Sequence, residues 1–189
     1  MRKITVLAAA VAAAVSAPAF AGVTGPRAEA VVGWDSSHIS VSGVGSLTRS
    51  GLVYGLGVGY DFGIGSRASF GIDAEATDAT TDVDVTDGTG RYRLAIGRDL
   101  YVGGRVTAAV SDKLNVYAKA GYTNARVKGS ITAGGTTSSG SANADGIRGG
   151  LGLQYALGSK AYLGAEYRYS NYEGGFSRNQ VVGTIGFRF

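Results

Sequence analysis

Cysteine is absent from the 189 residues, which excludes disulfides and thiol chemistry. Proline occurs twice, at Pro18 and Pro26, and histidine once, at His38. A single histidine leaves little for imidazole-based catalysis or metal ligation to draw on. Lys and Arg number 18 against 14 Asp and Glu, a formal charge of +4. They are spread along the chain, without the clustered basic face that nucleic-acid binding needs. Long hydrophobic runs are also missing. The one apolar stretch, Ile4 to Val15, falls short of the roughly 20 residues a membrane-spanning helix requires.

That stretch has the order of an export leader. Arg2 and Lys3 precede it, Pro18 ends it, and Ala19, Phe20 and Ala21 form a small-x-small cleavage site. Residues 1–21 are therefore expected to be a signal peptide and residues 22–189 the mature domain. Loss of Arg2 and Lys3 brings the net charge closer to zero.

What is present in quantity is glycine, 32 residues, together with 11 tyrosines and 6 phenylalanines. Aromatic content on this scale argues against a disordered glycine-rich chain. Apolar and polar residues alternate with period two through the mature region, the mark of β-strands with one apolar face. Leu52, Tyr54, Leu56, Val58, Tyr60 and Phe62 share one face; Val53, Gly55, Gly57, Gly59 and Asp61 share the other. The pattern predicts eight strands: Arg27–Trp34, Ser50–Phe62, Arg67–Thr77, Tyr92–Val110, Leu114–Arg126, Gly146–Leu157, Ala161–Tyr172 and Arg178–Phe189. Short turns (Gly63–Ser66, Ser111–Lys113, Gly158–Lys160) alternate with long loops (Asp35–Arg49, Asp78–Arg91, Val127–Asp145). The expected fold is all-β: a closed eight-stranded antiparallel transmembrane barrel with short periplasmic turns and longer extracellular loops. Closure follows because lipid offers no partner to an unpaired backbone amide.

Charge placement decides the faces. Glu29, Asp73, Glu75, Asp99, Arg105, Lys119, Arg148, Glu166, Arg168 and Arg188 all fall opposite the apolar side. A Lys or Arg turned to the lipid midplane costs roughly 2–4 kcal/mol, so the charged face is read as the lumen, with acids and bases pairing there. On the apolar face, Trp34, Tyr54, Tyr122, Tyr167 and Tyr169 fall near the extracellular rim. Tyr60, Phe62, Tyr155, Phe187 and Phe189 fall near the periplasmic rim. These are the expected aromatic girdles.

The last strand alternates Val181, Gly183, Ile185, Phe187 and Phe189 outward and ends on an aromatic. It resembles the C-terminal signal read by the barrel-assembly machinery, with Phe187 and Phe189 as its aromatics. Segments 98–105 (RDLYVGGR), 116–124 (VYAKAGYTN) and 164–172 (GAEYRYSNY) resemble the outer-membrane β-barrel domain family. That family includes opacity-like surface antigens and is similar to the OmpA membrane domain and OmpX. The resemblance spans essentially the whole mature chain. It implies a monomeric surface barrel held in outer-membrane lipid and lipopolysaccharide, antigenic or adhesive through its loops, with no cofactor and no active site. With Phe189 closing the barrel, it brings no expectation of peptidoglycan binding.

Candidate sites for chemistry are thin. His38 lies near Asp35, Ser36 and Ser37, but a triad needs convergence in space, which neighbours in one loop rarely achieve. Asp82, Asp84 and Asp87 resemble a calcium loop, yet Thr86 and Arg93 occupy positions where ligands belong. The glycines at 55, 57 and 59 lie within a strand, without the helix a phosphate loop requires. Asp73 and Glu75 are better read as network members than as an acid–base couple. The segment from Ala133 to Asn143 reads as a low-complexity loop. The leading expectation is a non-enzymatic envelope barrel contacting host or cell-surface ligands. A small-conductance channel, a membrane-embedded lipid-modifying enzyme and a soluble secreted β-protein are the alternatives.

Overall fold

The computed structural model describes residues 24–41, 45–87 and 90–189; the expected signal peptide, 1–21, lies outside them. The chain forms β1 (Gly25–Val41), β2 (Gly45–Ile64), β3 (Ala68–Ala79), β4 (Asp82–Asp87), β5 (Gly90–Ala109), β6 (Leu114–Ala133), β7 (Thr136–Ala156), β8 (Ala161–Tyr172) and β9 (Phe176–Arg188). Consecutive strands pair antiparallel except β3 and β4, and β1 pairs with β9 from Arg27↔Arg188 to Ile39↔Phe176. Pairing of β3 with β5 completes the ring. β4 continues the β3 arm beyond the ring and pairs with the outer part of β5, Asp82↔Ala95 to Asp87↔Gly90. Eight strands therefore cross the membrane, and closure leaves no lipid-exposed edge.

The alternation comes from the pleat. On β3, Ser69, Gly71, Asp73, Glu75 and Thr77 are buried, while Phe70, Ile72, Ala74 and Ala76 are exposed. A globular sheet would show the reverse, since the residues facing out here are apolar. Val32, Leu56, Val58, Ile72, Val102, Val106, Leu151 and Ile185 are each about half exposed or more, a surface that suits hydrocarbon.

The extracellular connections differ from the sequence expectation. The stretch 35–49 is mostly strand, and 127–145 is paired across β6 and β7 from Val127↔Ala142 to Ala133↔Thr136. The serine- and threonine-rich stretch is thus one arm of a hairpin. Its tip is Gly134–Gly135, both at positive φ (56° and 79°), as a two-residue hairpin turn demands. Polarity misleads here because both faces of an extension above the membrane meet water. The ladder, unlike the hydrophobic pattern, does not stop at the interface. Likewise Asp82–Asp87, read as loop, is β4.

One irregularity sits on β5. Its register with β6 shifts between Ile96 and Asp99, so both of these residues point inward although three positions apart. The bulge lets the outer hairpin change face without breaking the ladder.

Candidate functional site: the charged interior

The interior is filled by ion pairs in two clusters joined by one aromatic ring. At the periplasmic end, Arg27 donates from Nε to Asp61 Oδ2 (2.9 Å) and also contacts Glu29 and Asp73. Arg105 donates to Asp73 Oδ2 (2.8 Å) and Glu29 Oε1 (3.3 Å). Glu29 Oε1 further accepts from Tyr162 Oη (2.7 Å) and Gln154 Nε2 (3.2 Å). Arg188 closes this end on Asp61 (3.3 Å) and Gln154 (3.2 Å).

Above it, the Arg105 guanidinium lies 4.2 Å from the centre of the Tyr117 ring, whose hydroxyl donates to Glu166 Oε2 (2.6 Å). Glu166 and Glu75 are bridged twice. Lys119 Nζ contacts both, and Arg168 donates to Glu166 Oε1 (2.7 Å) and Glu75 Oε2 (2.9 Å). Arg148 connects Glu75 (3.7 Å) to Asp99. Asp99 also accepts from Arg178 Nη1 (2.9 Å), Tyr172 Oη (2.7 Å) and Thr123 Oγ1 (2.6 Å). Arg178 then reaches Asp35 Oδ1 at 2.9 Å, and Ser37, Thr81 and Gln180 complete that carboxylate, each at 3.0 Å.

Two apolar clusters accompany the charges. Val31, Val53 and Val182 form one cluster. Ile96, Ala125, Tyr172 and Phe176 form another toward the extracellular side, with the Tyr172 and Phe176 rings stacked at 4.8 Å. Inward glycine makes the long side chains fit an eight-stranded bore. A Cβ built on Gly152 would stand 2.4 Å from the Tyr117 ring, and one on Gly186 would stand 2.2 Å from the Tyr162 ring. Both rings lie on bare backbone. Gly152→Val is therefore expected to displace Tyr117 and break its bond to Glu166, destabilising the barrel by about 1–3 kcal/mol as overpacking does. Urea unfolding in phospholipid vesicles checks this; an unchanged midpoint would show that the ring does not need the space.

Each residue singled out from the sequence has a definite place. Glu29, Asp73, Glu75, Asp99, Arg105, Lys119, Arg148, Glu166 and Arg168 are buried inside, and Arg188 is part-buried at the periplasmic end. Trp34, Tyr54, Tyr60, Phe62, Tyr122, Tyr155, Tyr167, Tyr169, Phe187 and Phe189 are exposed on the outside. Sequence reading missed Arg27, Asp35, Asp61 and Arg178 as ionic partners, and Tyr101, Tyr117, Tyr162 and Tyr172 as interior aromatics. All eight lie on the inward parity of their strands; period two already assigns seven of them to the lumen within the predicted strands, and Asp35 lies one residue beyond the predicted end of the first. Among the described residues, the inward acids Glu29, Asp35, Asp61, Asp73, Glu75, Asp99 and Glu166 match Arg27, Arg105, Lys119, Arg148, Arg168, Arg178 and Arg188 one for one.

The Ser-His-Asp reading meets a geometric obstacle. Asp35 and Ser37 point inward and bond each other, whereas His38 Nδ1 lies 2.9 Å from Thr48 Oγ1 on the other face. Asp82 takes Arg93 as its partner. No group of acidic or imidazole side chains among the described residues is arranged to hold a metal ion.

A closed antiparallel ring with an apolar outside and an ionic inside is a small eight-stranded transmembrane barrel of the bacterial outer membrane. The chain belongs to the outer membrane protein beta-barrel domain family, whose model matches residues 7–189. Among solved structures it is similar to the attachment invasion locus protein Ail of Yersinia pestis: 15% identity, TM-score 0.56, covering 88% of this chain and 99% of that one. It is also similar to the Neisserial surface protein A (NspA): 17% identity, TM-score 0.56, covering 88% and 98%. A comparison with curated protein sequences finds no match. At such identities the likeness establishes fold, and the protein resides in the outer membrane among its lipids and lipopolysaccharide.

Proposed function

We propose that this protein is a non-enzymatic envelope barrel: a self-supporting anchor that carries stiff β-hairpins above the outer membrane. One observation carries the reading. Every ionic side chain named in the interior is committed to a partner, and the apolar cluster of Ile96, Ala125, Tyr172 and Phe176 lies toward the extracellular end. A hydrolytic or acyl-transfer site needs a nucleophile and base open to substrate, and a conduit needs an open bore. In this reading the interior charges are a structural core, the aromatic girdles set the depth in the bilayer, and Phe187 and Phe189 serve assembly. The signal peptide ends at Ala21. The barrel works as a monomer, and any host or cell-surface contact is made by the hairpins of β1–β2, β4–β5 and β6–β7.

Planar-bilayer recording tests the reading. Purified protein is expected to give no steady conductance, because ion flow would have to break several buried pairs at once. A stable open level that rises in Arg148→Ala or Asp99→Ala would favour a channel instead. Adhesion is tested on whole cells by shortening the β6–β7 hairpin between Gly129 and Gly140, which pair across it. Loss of cell binding with the folded barrel retained is expected; unchanged binding would move the contact to another hairpin.

A further inference from the structure

The outward face of β5 and β6 carries cations where the other described strands carry few, and the adjoining face of β7 carries one acid, Asp145, already bonded to Tyr122 and Asn124. Arg126 and Lys128 on β6 are exposed, four and six positions beyond the outward Tyr122 of the extracellular girdle. With about 3.3 Å per residue and the tilt of barrel strands, that puts them roughly 10 Å or more above the girdle, in the headgroup layer. Arg98 on β5 stands beside them, donating to Asn124 Oδ1 at 3.4 Å. Elsewhere at this level the outward residues are neutral or acidic: Ser36 and His38 on β1, Asp78 on β3, Asn171 on β8, Asn179 on β9. Arg126 and Lys128 are not scattered over a surface; they line a groove of about 640 Å³ with Arg93, Ser139 and Ser141. Arg126 Nη2 is held toward it by Ser141 Oγ at 2.8 Å. Arg93 is already bonded to Asp82, and Lys128 makes no ion pair among the described residues.

The lipid side of β5–β8 carries a second feature, running down from the girdle at Tyr167. Val106, Ala118, Leu151, Leu153, Ala165 and Tyr167 line an apolar groove of about 660 Å³ on the lipid side. Ala118 and Leu151 are register partners there. Small side chains between larger ones make a shallow channel where hydrocarbon can lie. Cations above an interface with an apolar groove beneath match a molecule that bears phosphates on its headgroup and acyl chains below. Arg and Lys bind phosphate through charge-assisted hydrogen bonds.

We propose that the outward face of β5–β7 is a binding site for a phosphorylated lipid of the outer leaflet. The phosphate is held by Arg126 and Lys128, and an acyl chain lies along the groove at Ala118 and Leu151. The site does not depend on the anchor reading above, since a channel or an enzyme could carry it equally.

The probe is lipid A, bisphosphorylated and dephosphorylated, added to folded protein in phosphatidylcholine vesicles and followed by binding titration. Heat-modified mobility confirms that each variant is folded. Arg126→Gln with Lys128→Gln is expected to weaken binding of the bisphosphorylated form about thirtyfold, from about 1 kcal/mol for each surface cation. The single variants should give intermediate losses, and the two lipid forms should become nearly equal in the double variant. Arg49→Gln, an exposed cation on β2, should leave binding unchanged. Ala118→Phe should weaken both lipid forms by filling the groove. Equal binding of the two lipid forms to the unaltered protein, or equal loss with Arg49→Gln, would overturn the proposal. So would competition by a soluble sulfated polysaccharide at Arg126 and Lys128 without any lipid A binding, because the occupant would then be a soluble glycan.

Discussion

Asp99→Ala is expected to be the most damaging single truncation in the barrel, lowering stability by about 3–5 kcal/mol, the usual effect of removing one partner from a buried ionic cluster. Asp99 is 1% exposed and accepts from Arg148, Arg178, Tyr172 and Thr123. Its loss leaves two guanidiniums facing each other without the anion between them. Arg178 keeps Asp35 and Arg148 keeps Glu75 at 3.7 Å, so the barrel should still form, but with a lower urea midpoint in vesicles. Asp99→Asn keeps the shape and one acceptor oxygen, which can still take Tyr172 while the amide nitrogen donates to Thr123 Oγ1, so its loss should be smaller. Equal midpoints for Asp99→Ala and the unaltered protein would mean that the interior charges are solvated rather than paired with one another.

Lipid-facing cations are the second large effect. Leu151→Arg and Ala118→Arg each put a guanidinium into hydrocarbon, with an expected loss of roughly 2–4 kcal/mol near the midplane. Both positions are exposed on the apolar outside, next to inward Lys119 on β6 and Gly150 on β7. Lys119→Gln is the comparison. It removes a charge from Glu75 and Glu166, but both keep Arg168, so it should cost less than either arginine. Because side chains alternate with period two, a slip of one residue would exchange the faces. Reversal of the ranking, with Lys119→Gln the worst, would mean that the outer surface of β6 is not in lipid.

Most of the crossing region was legible because the bilayer imposes a sharp rule. Leu52 to Phe62 shows it plainly, with one face apolar at every position and the other small or charged. The charges from Glu29 to Arg188 could be assigned to one side because lipid penalises them so heavily. Above the membrane that penalty vanishes, and the rule with it. Ser139 and Ser141 face water on a strand as readily as in a loop, so the β6–β7 hairpin looked unstructured. The Gly134–Gly135 pair was the available clue to its turn. Asp35 was lost for the same reason, since ending β1 at Trp34 put into a loop a carboxylate that closes the interior network. The bulge at Ile96–Asp99 left no trace in the pattern, because the alternation resumes on both sides of it. Pairing within the lumen was also beyond the sequence. Parity says that Glu29 and Arg105 share an interior, but which strands face across the bore depends on how the ring closes.

Alternate residues of each strand point to lipid and to lumen, and the absence of cysteine makes that direction measurable. Single cysteines at Ala118 and Ala120 on β6 report the outside, and at Ser69 and Ser170, both fully buried, they report the inside with little change in volume. Each variant would carry a thiol-reactive fluorophore where it can be labelled after folding in vesicles, with a quencher dissolved in the lipid. Ala118→Cys and Ala120→Cys should label and be quenched from the bilayer, while Ser69→Cys and Ser170→Cys should resist labelling until the barrel is unfolded. Lipid quenching at Ser69 and Ser170 with protection at Ala118 and Ala120, or equal labelling at all four, would contradict a closed barrel with its charges inside.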